Sequence, residues 1–192
     1  MIEFYNSDSA TRAANMFLDL TKNSDLNNKA VLVMTLIAYK GESSGTFLRK
    51  VFDVNLDLTL IELTKQNYIK IIRTEGRTKV YECVYSPKEV NVFSEDIMYV
   101  FSNALFNIGK YIRNYKISSW NILASIVELP LRISKNGAVP YEYDMLSCIG
   151  GDRPNKLTNR NRLVKIGVIK PIGSSQASNY RLNQHAYLLG AK

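Results

Sequence analysis

LTKQNYIKII at residues 63–72 and LVKIGVIKPI at residues 163–172 lie over each other without a gap. Lys65 coincides with Lys165, Ile69 with Ile169, Lys70 with Lys170 and Ile72 with Ile172. Each stretch starts at helical spacing and ends in a β-branched run, so each is expected to lead a helix into a strand. Asn67 and Gly167 stand at the junctions. Both residue types tolerate the left-handed backbone that closes a helix. The chain therefore reads as two related halves.

Around the first junction, residues 56–66 predict a helix with Leu56, Leu60 and Leu63 inward. The runs at 68–73 and 79–85 predict a hairpin turning through 74–77, with Gly76 at the tight turn. Upstream, KAVLVMTLIAY at 29–39 is apolar nearly all round and predicts a central core helix. Residues 41–45 break the chain, Thr46 is the expected cap of a short helix over 47–52, and 53–55 form a turn. A helix over 7–22, capped by Ser9, comes first. Downstream, Pro87 marks a boundary, and Ser94 opens one long amphipathic helix over 95–115. The second half then repeats the order. It offers a helix over 118–128 disturbed at Pro130, a short strand at 137–139 and a helix over 140–149. A turn at 150–153 follows, with Asp152 as N-cap and Pro154 in the first turn of a helix that covers 156–166. Strands at 168–172 and 178–182 close it.

Helix, short helix, turn, helix, hairpin is the order of a helix-turn-helix with a β-hairpin wing. The two junctions resemble the passage from recognition helix to wing in winged-helix transcription regulators, over roughly residues 27–86 and 118–186. The expected fold class is α+β, mainly helical with small β-hairpins. The expected domains are an N-terminal helix plus a first winged helix over 1–90, a linker or dimerisation helix over 91–117, and a second winged helix over 118–192. The resemblance implies double-stranded DNA as the partner. Winged helices also act as protein-interaction modules, so the fold alone leaves both classes open.

Charge separates the halves. The net charge is +8. Residues 1–90 hold twelve Lys/Arg against eleven Asp/Glu, and residues 91–192 hold thirteen against six. A concentrated basic region indicates a polyanionic partner. On a helical wheel, Asn155, Asn159 and Arg162 fall opposite Leu157, Asn161 and Val164. The first three are the expected base contacts, because Asn bonds bidentately to adenine and Arg to guanine. Arg153, Lys156, Thr158, Arg160, Lys165 and, on the returning strand, Arg181 are the expected phosphate contacts. Residues 156–165 contain no acid. The matching positions of the first half are Asn55, Thr59 and Glu62, with Asp53 and Asp57 nearby, and acids there would face phosphates. That half is expected to help through its wing, at Lys70, Arg73, Arg77 and Lys79, or by holding a protein partner. A solvated hairpin edge explains the same four charges equally well.

Other classes find little support. No apolar run approaches the ~20 residues of a membrane span, and the first residues lack the pattern of a secretory signal. Cys83 and Cys148 are far apart and are expected to be reduced thiols of a cytoplasmic protein. His185 is the only histidine, with no nucleophile placed beside it. Glu142 and Asp144 fit a solvated face, and Gly150-Gly151 fits a turn rather than a phosphate loop. No enzymatic activity, metal or cofactor is expected. Three functions remain open: a sequence-specific transcription regulator that dimerises through 95–115, a plasmid or viral replication initiator on origin DNA, and a tandem winged-helix scaffold.

Overall fold

The structure, a computed structural model, describes residues 5–133, 138–139, 153–172 and 179–183. Helix α1 (Ser7–Asn23) is capped by Asn6, whose side chain accepts from the Ser9 amide at 2.8 Å. Ser9 thus supplies the capped amide, not the cap. Helix α2 (Asn28–Lys40) is buried from Ala30 to Tyr39, as its all-round apolar sequence requires. The break at Gly41 opens into a short strand, β1 (Glu42–Ser44), which no alternation in the sequence announces. Ser44 caps α3 (Gly45–Phe52) by accepting from the Phe47 amide, so the cap sits two residues before the expected Thr46. Helix α4 (Asp57–Lys65) leads into the hairpin of β2 (Ile69–Glu75) and β3 (Thr78–Cys83), which turns at Gly76 with φ +60°. The sheet order is β1-β3-β2, antiparallel throughout.

The single helix expected over 95–115 is two. Helix α5 (Glu95–Phe106) and helix α6 (Ile108–Tyr115) meet at Asn107, whose side chain donates to the Asn103 carbonyl at 2.8 Å. The apolar stripe of α5 is spent inside the molecule, buried from Met98 to Leu105 except Tyr99. Gly109 lets α6 lie against the end of α3, since a Cβ there would stand 2.6 Å from the Val51 carbonyl oxygen. Helix α7 (Trp120–Arg132) passes through Pro130 and ends two residues beyond it, where the sequence suggested a stop. It is buried from Ile122 to Pro130, including Glu128, which pairs with Arg132 at 3.1 Å.

Strand β4 (Ala138–Val139), helix α8 (Arg153–Lys165), β5 (Ile169–Ile172) and β6 (Asn179–Leu182) complete the second half. Its sheet order, β4-β6-β5, is that of the first half. The helix over 140–149, the turn at 150–152, the loop at 173–178, Cys148 and His185 lie outside the described residues. The junctions match bond for bond. Tyr68 N donates to Leu63 O and Val168 N to Leu163 O, each at 3.0 Å. Asn67 (φ +61°) and Gly167 (φ +78°) both adopt the left-handed backbone. The protein is thus α+β, mainly helical with small antiparallel sheets. One continuous apolar core runs from α1 and α2 through α5 and α7 to Leu163, Ile169 and Tyr180. No helix among the described residues is long and apolar enough to cross a membrane.

Candidate nucleic-acid interface

Three attachments fix α8. Leu163 is fully buried. The Arg160 guanidinium lies over the Tyr180 ring, 5.8 Å from its centroid. Arg162 donates from Nη2 to the Tyr115 carbonyl at 2.6 Å, tying α8 to the end of α6. Thr158, Asn161 and Lys165 are left exposed at helical spacing. The wheel drawn on Leu157, Asn161 and Val164 is therefore off by roughly 100°, about one residue's step. Leu157 and Val164 are only half-buried, and one leucine sets the inner face. Asn161 comes outward, and its Oδ1 accepts from Arg160 Nε at 3.3 Å. Asn159 and Arg162, expected outward, are half-buried, as are Lys156 and Arg160. Arg153 and Asn155 belong to α8, but their side chains fall outside the described part.

The two hairpins differ at matching positions. Ile69 pairs with Cys83 and Ile169 with Leu182. One step along, Lys70 faces Glu82 and Lys170 faces Arg181. The first pair is an ion pair at 2.9 Å. The second sets two exposed cations side by side, and no described residue supplies either with a carboxylate. Like charges directly opposed on a sheet face repel. In the first half Arg73 is also engaged, bidentately by Glu42 at 2.6 Å and by Glu75 at 2.8 Å. The Arg73 guanidinium holds the Glu42 carboxyl below its usual range. Arg77 and Lys79 stay exposed near the hairpin tip with no ion pair among the described residues. Of the four wing cations, two are thus neutralised within the fold.

The face of α4 that corresponds to α8 is apolar and acidic. Leu58 is 83% exposed and Ile61 49%, with Glu62 and Lys65 beside them. Thr59, expected outward, is buried. Asn55 folds onto its own backbone, accepting from the Asp57 amide at 2.8 Å. Asp57 is bonded to Arg49, which holds its carboxyl below the ordinary value. Asp53 pairs with Arg113 at 3.2 Å.

The remaining polar groups are structural in arrangement. Burial pushes the Asp19 carboxyl up, but hydrogen bonds from Tyr85 and Asn23 outweigh it and leave the group below its ordinary value. The same Asp19 contact, aided by burial, pushes Tyr85 up to about 12. Burial raises the Cys83 thiol to about 12, too high for a reactive thiolate at neutral pH, and its Sγ donates to the Met34 carbonyl. No group of three or more His, Cys, Asp or Glu among the described residues is arranged to hold a metal ion. The sequence reading placed Asn161 inward and did not single out Lys170. Lys170 was visible in the repeat itself, but only the register shows that it faces another cation. Comparison of the chain with protein-family models, with curated proteins and with solved structures finds no match.

Proposed function

We propose that this chain is a sequence-specific double-stranded DNA-binding protein made of two winged-helix units, acting as a transcription regulator. The observation that carries this reading is the uncompensated cation pair Lys170–Arg181 on the second hairpin, where the first hairpin has Lys70–Glu82. Repulsion between the two cations is relieved when a polyanion lies across them. Next to that hairpin, α8 presents an outer stripe of Thr158, Asn161 and Lys165, edged by Arg162. An acid-free helix in the reading position of this element order suits a major groove. In this reading Asn161 joins Asn155 and Asn159 as a base contact, while Arg162, held by the Tyr115 carbonyl at the cleft wall, turns from base contact to phosphate contact. Arg153, Lys156, Thr158, Arg160, Lys165 and Arg181 meet phosphates, with Lys170 added. The first wing contributes Arg77 and Lys79, while Lys70 and Arg73 are held by glutamates.

A second reading draws on the exposed Leu58 and Ile61 of α4. Large apolar side chains on a charged helix face favour a protein contact, which makes the first unit a partner-binding or dimerising module. A replication initiator would use the same DNA contacts and differ in footprint, covering two successive major grooves as a monomer.

The test is a salt titration of duplex binding by fluorescence anisotropy, combined with selection from genomic fragments. Binding through several phosphates predicts a steep linear fall of log K with log salt. Asn159→Ala combined with Asn161→Ala is expected to abolish preference for the selected site while retaining most non-specific affinity. Absence of any duplex binding at low salt overturns the reading.

A further inference from the structure

Each half has a cleft between the start of its core helix, α2 or α7, and its hairpin-proximal helix, α4 or α8. In the first half this cleft, about 490 Å³, runs from Asp25 and Asn27 before α2 to Glu62 of α4 and Gln66 just after it. In the second it is about 360 Å³ and runs from Lys116, Ser118 and Ser119 before α7 to Asn161, Arg162 and Lys165 of α8. The clefts are related by the repeat, and Glu62 occupies the position of Arg162. Their charge is inverted. Among the described residues, the first is lined by two carboxylates and no cation, the second by three cations and no carboxylate. A general basic surface would not reverse sign at one matched cleft.

Lys116 adds a separate observation. It closes α6 with φ +53°, a left-handed conformation where glycine or asparagine is the ordinary choice. A lysine there accepts backbone strain and is exposed, on the rim of the cleft. Arg162 enters from the other wall. One of its N–H groups is held by the Tyr115 carbonyl, which orients the guanidinium and leaves further donors for a ligand.

We propose that this cleft seats a backbone phosphate of the DNA strand bordering the groove that α8 enters. The inference rests on the DNA-binding reading above and adds Lys116, Ser118 and Ser119 to its contacts. The phosphate sits among Lys116, Arg162 and Lys165, with the Ser118 and Ser119 hydroxyls as neutral donors, and so sets how deep α8 lies in the groove. The second-half cleft thus acts as a register stop, and the first-half cleft, with Asp25 and Glu62, rejects the same strand.

The test compares wild type with Lys116→Gln, Lys116→Gly and Ser118→Glu in duplex binding across a salt series, with thermal unfolding alongside. Lys116→Gln is expected to reduce the slope of log K against log salt by about 1, equally for selected and random duplexes. Lys116→Gly should lose the same contact without a loss of melting temperature, because glycine relieves the left-handed strain. Ser118→Glu should weaken all duplex binding at least tenfold. If wild type binds duplex and all three variants keep its slope and affinity, the cleft assignment is wrong and the DNA-binding reading stands. If wild type does not bind, both fall. If inorganic phosphate raises the melting temperature of wild type but not of Lys116→Gln while the duplex slope is unmoved, the cleft takes a free anion, and the DNA assignment is overturned.

Discussion

At the residue scale, the groups that carry function and those that carry stability are separable by their partners. Asp19 is a stability group: 5% exposed, it accepts from Tyr85 and Asn23 and joins α1 to the chain that follows β3. Its folded-state pKa lies below the unfolded value of about 3.9. Such a group stabilises fully above that unfolded value and loses its contribution as pH falls through the lower folded one. Tyr85→Phe should therefore cost about 1.5–3 kcal/mol at pH 7, as expected for a hydrogen bond to a charged group. Urea midpoints for the two proteins should converge between pH 7 and an acid pH below the ordinary carboxylate range, where Asp19 takes up its proton. An equal gap at both pH values would show that ring packing, not the carboxylate, carries the effect. Tyr85 titrates with the opposite sense. Its value is raised, so its contribution holds below its unfolded pKa of about 10 and is lost as pH rises through about 12. None of this was legible in the sequence, because Asp19 and Tyr85 are brought together only by the fold. The outward face of α8 was legible in composition but not in angle. Its acid-free run was plain, yet Leu163 is the only fully buried side chain among its described residues, so the wheel had too few apolar anchors to fix its rotation.

At the element scale, the second hairpin is built less favourably than the first. Lys70–Glu82 is a cross-strand ion pair, and Lys170–Arg181 is a cross-strand repulsion in the adjoining register to the same Ile pair. Arg181→Glu should restore the favourable arrangement. The substitution is expected to raise stability by about 0.2–1 kcal/mol, read as a higher urea midpoint, and to weaken duplex binding at the same time. A gain in stability with unchanged DNA affinity would remove the hairpin from the interface. The hairpins themselves were readable, since Gly76, Asn67 and Gly167 stand where backbone of positive φ is required. Strand β1 was not. It has three residues, no alternation, and pairs with β3 from across the fold, so nothing local marks it. The division of 95–115 was hidden for a related reason: the apolar stripe continues through Asn107, and the break comes from an asparagine bonding back onto Asn103.

At the scale of the whole molecule, the repeat suggests two independent units, and the packing joins them. Helix α7 opens the second half, yet it lies against α1, α2 and α5 of the preceding chain. Its face from Ile122 to Pro130 is buried within the continuous core. Trp120, the single tryptophan, stands at this seam: its ring is 6.3 Å from that of Phe52 on α3, and the Lys29 ammonium lies 5.4 Å from its centroid. Its fluorescence therefore reports the contact between halves, while far-UV circular dichroism reports helices throughout. If the core is one cooperative unit, both signals follow the same urea transition. Ile126→Ala, which empties a fully buried site on α7, should then shift both midpoints together and cost about 2–5 kcal/mol. Separate transitions, with tryptophan moving first, would show that the halves dock after folding on their own. The distinction bears on the proposed DNA recognition, because a rigid body fixes the distance between the first hairpin, with Arg77 and Lys79, and the second, with Lys170 and Arg181. DNA that meets both must then match a set spacing, and insertion of half a helical turn between the two contact regions of a selected site should reduce affinity to that of the second half alone.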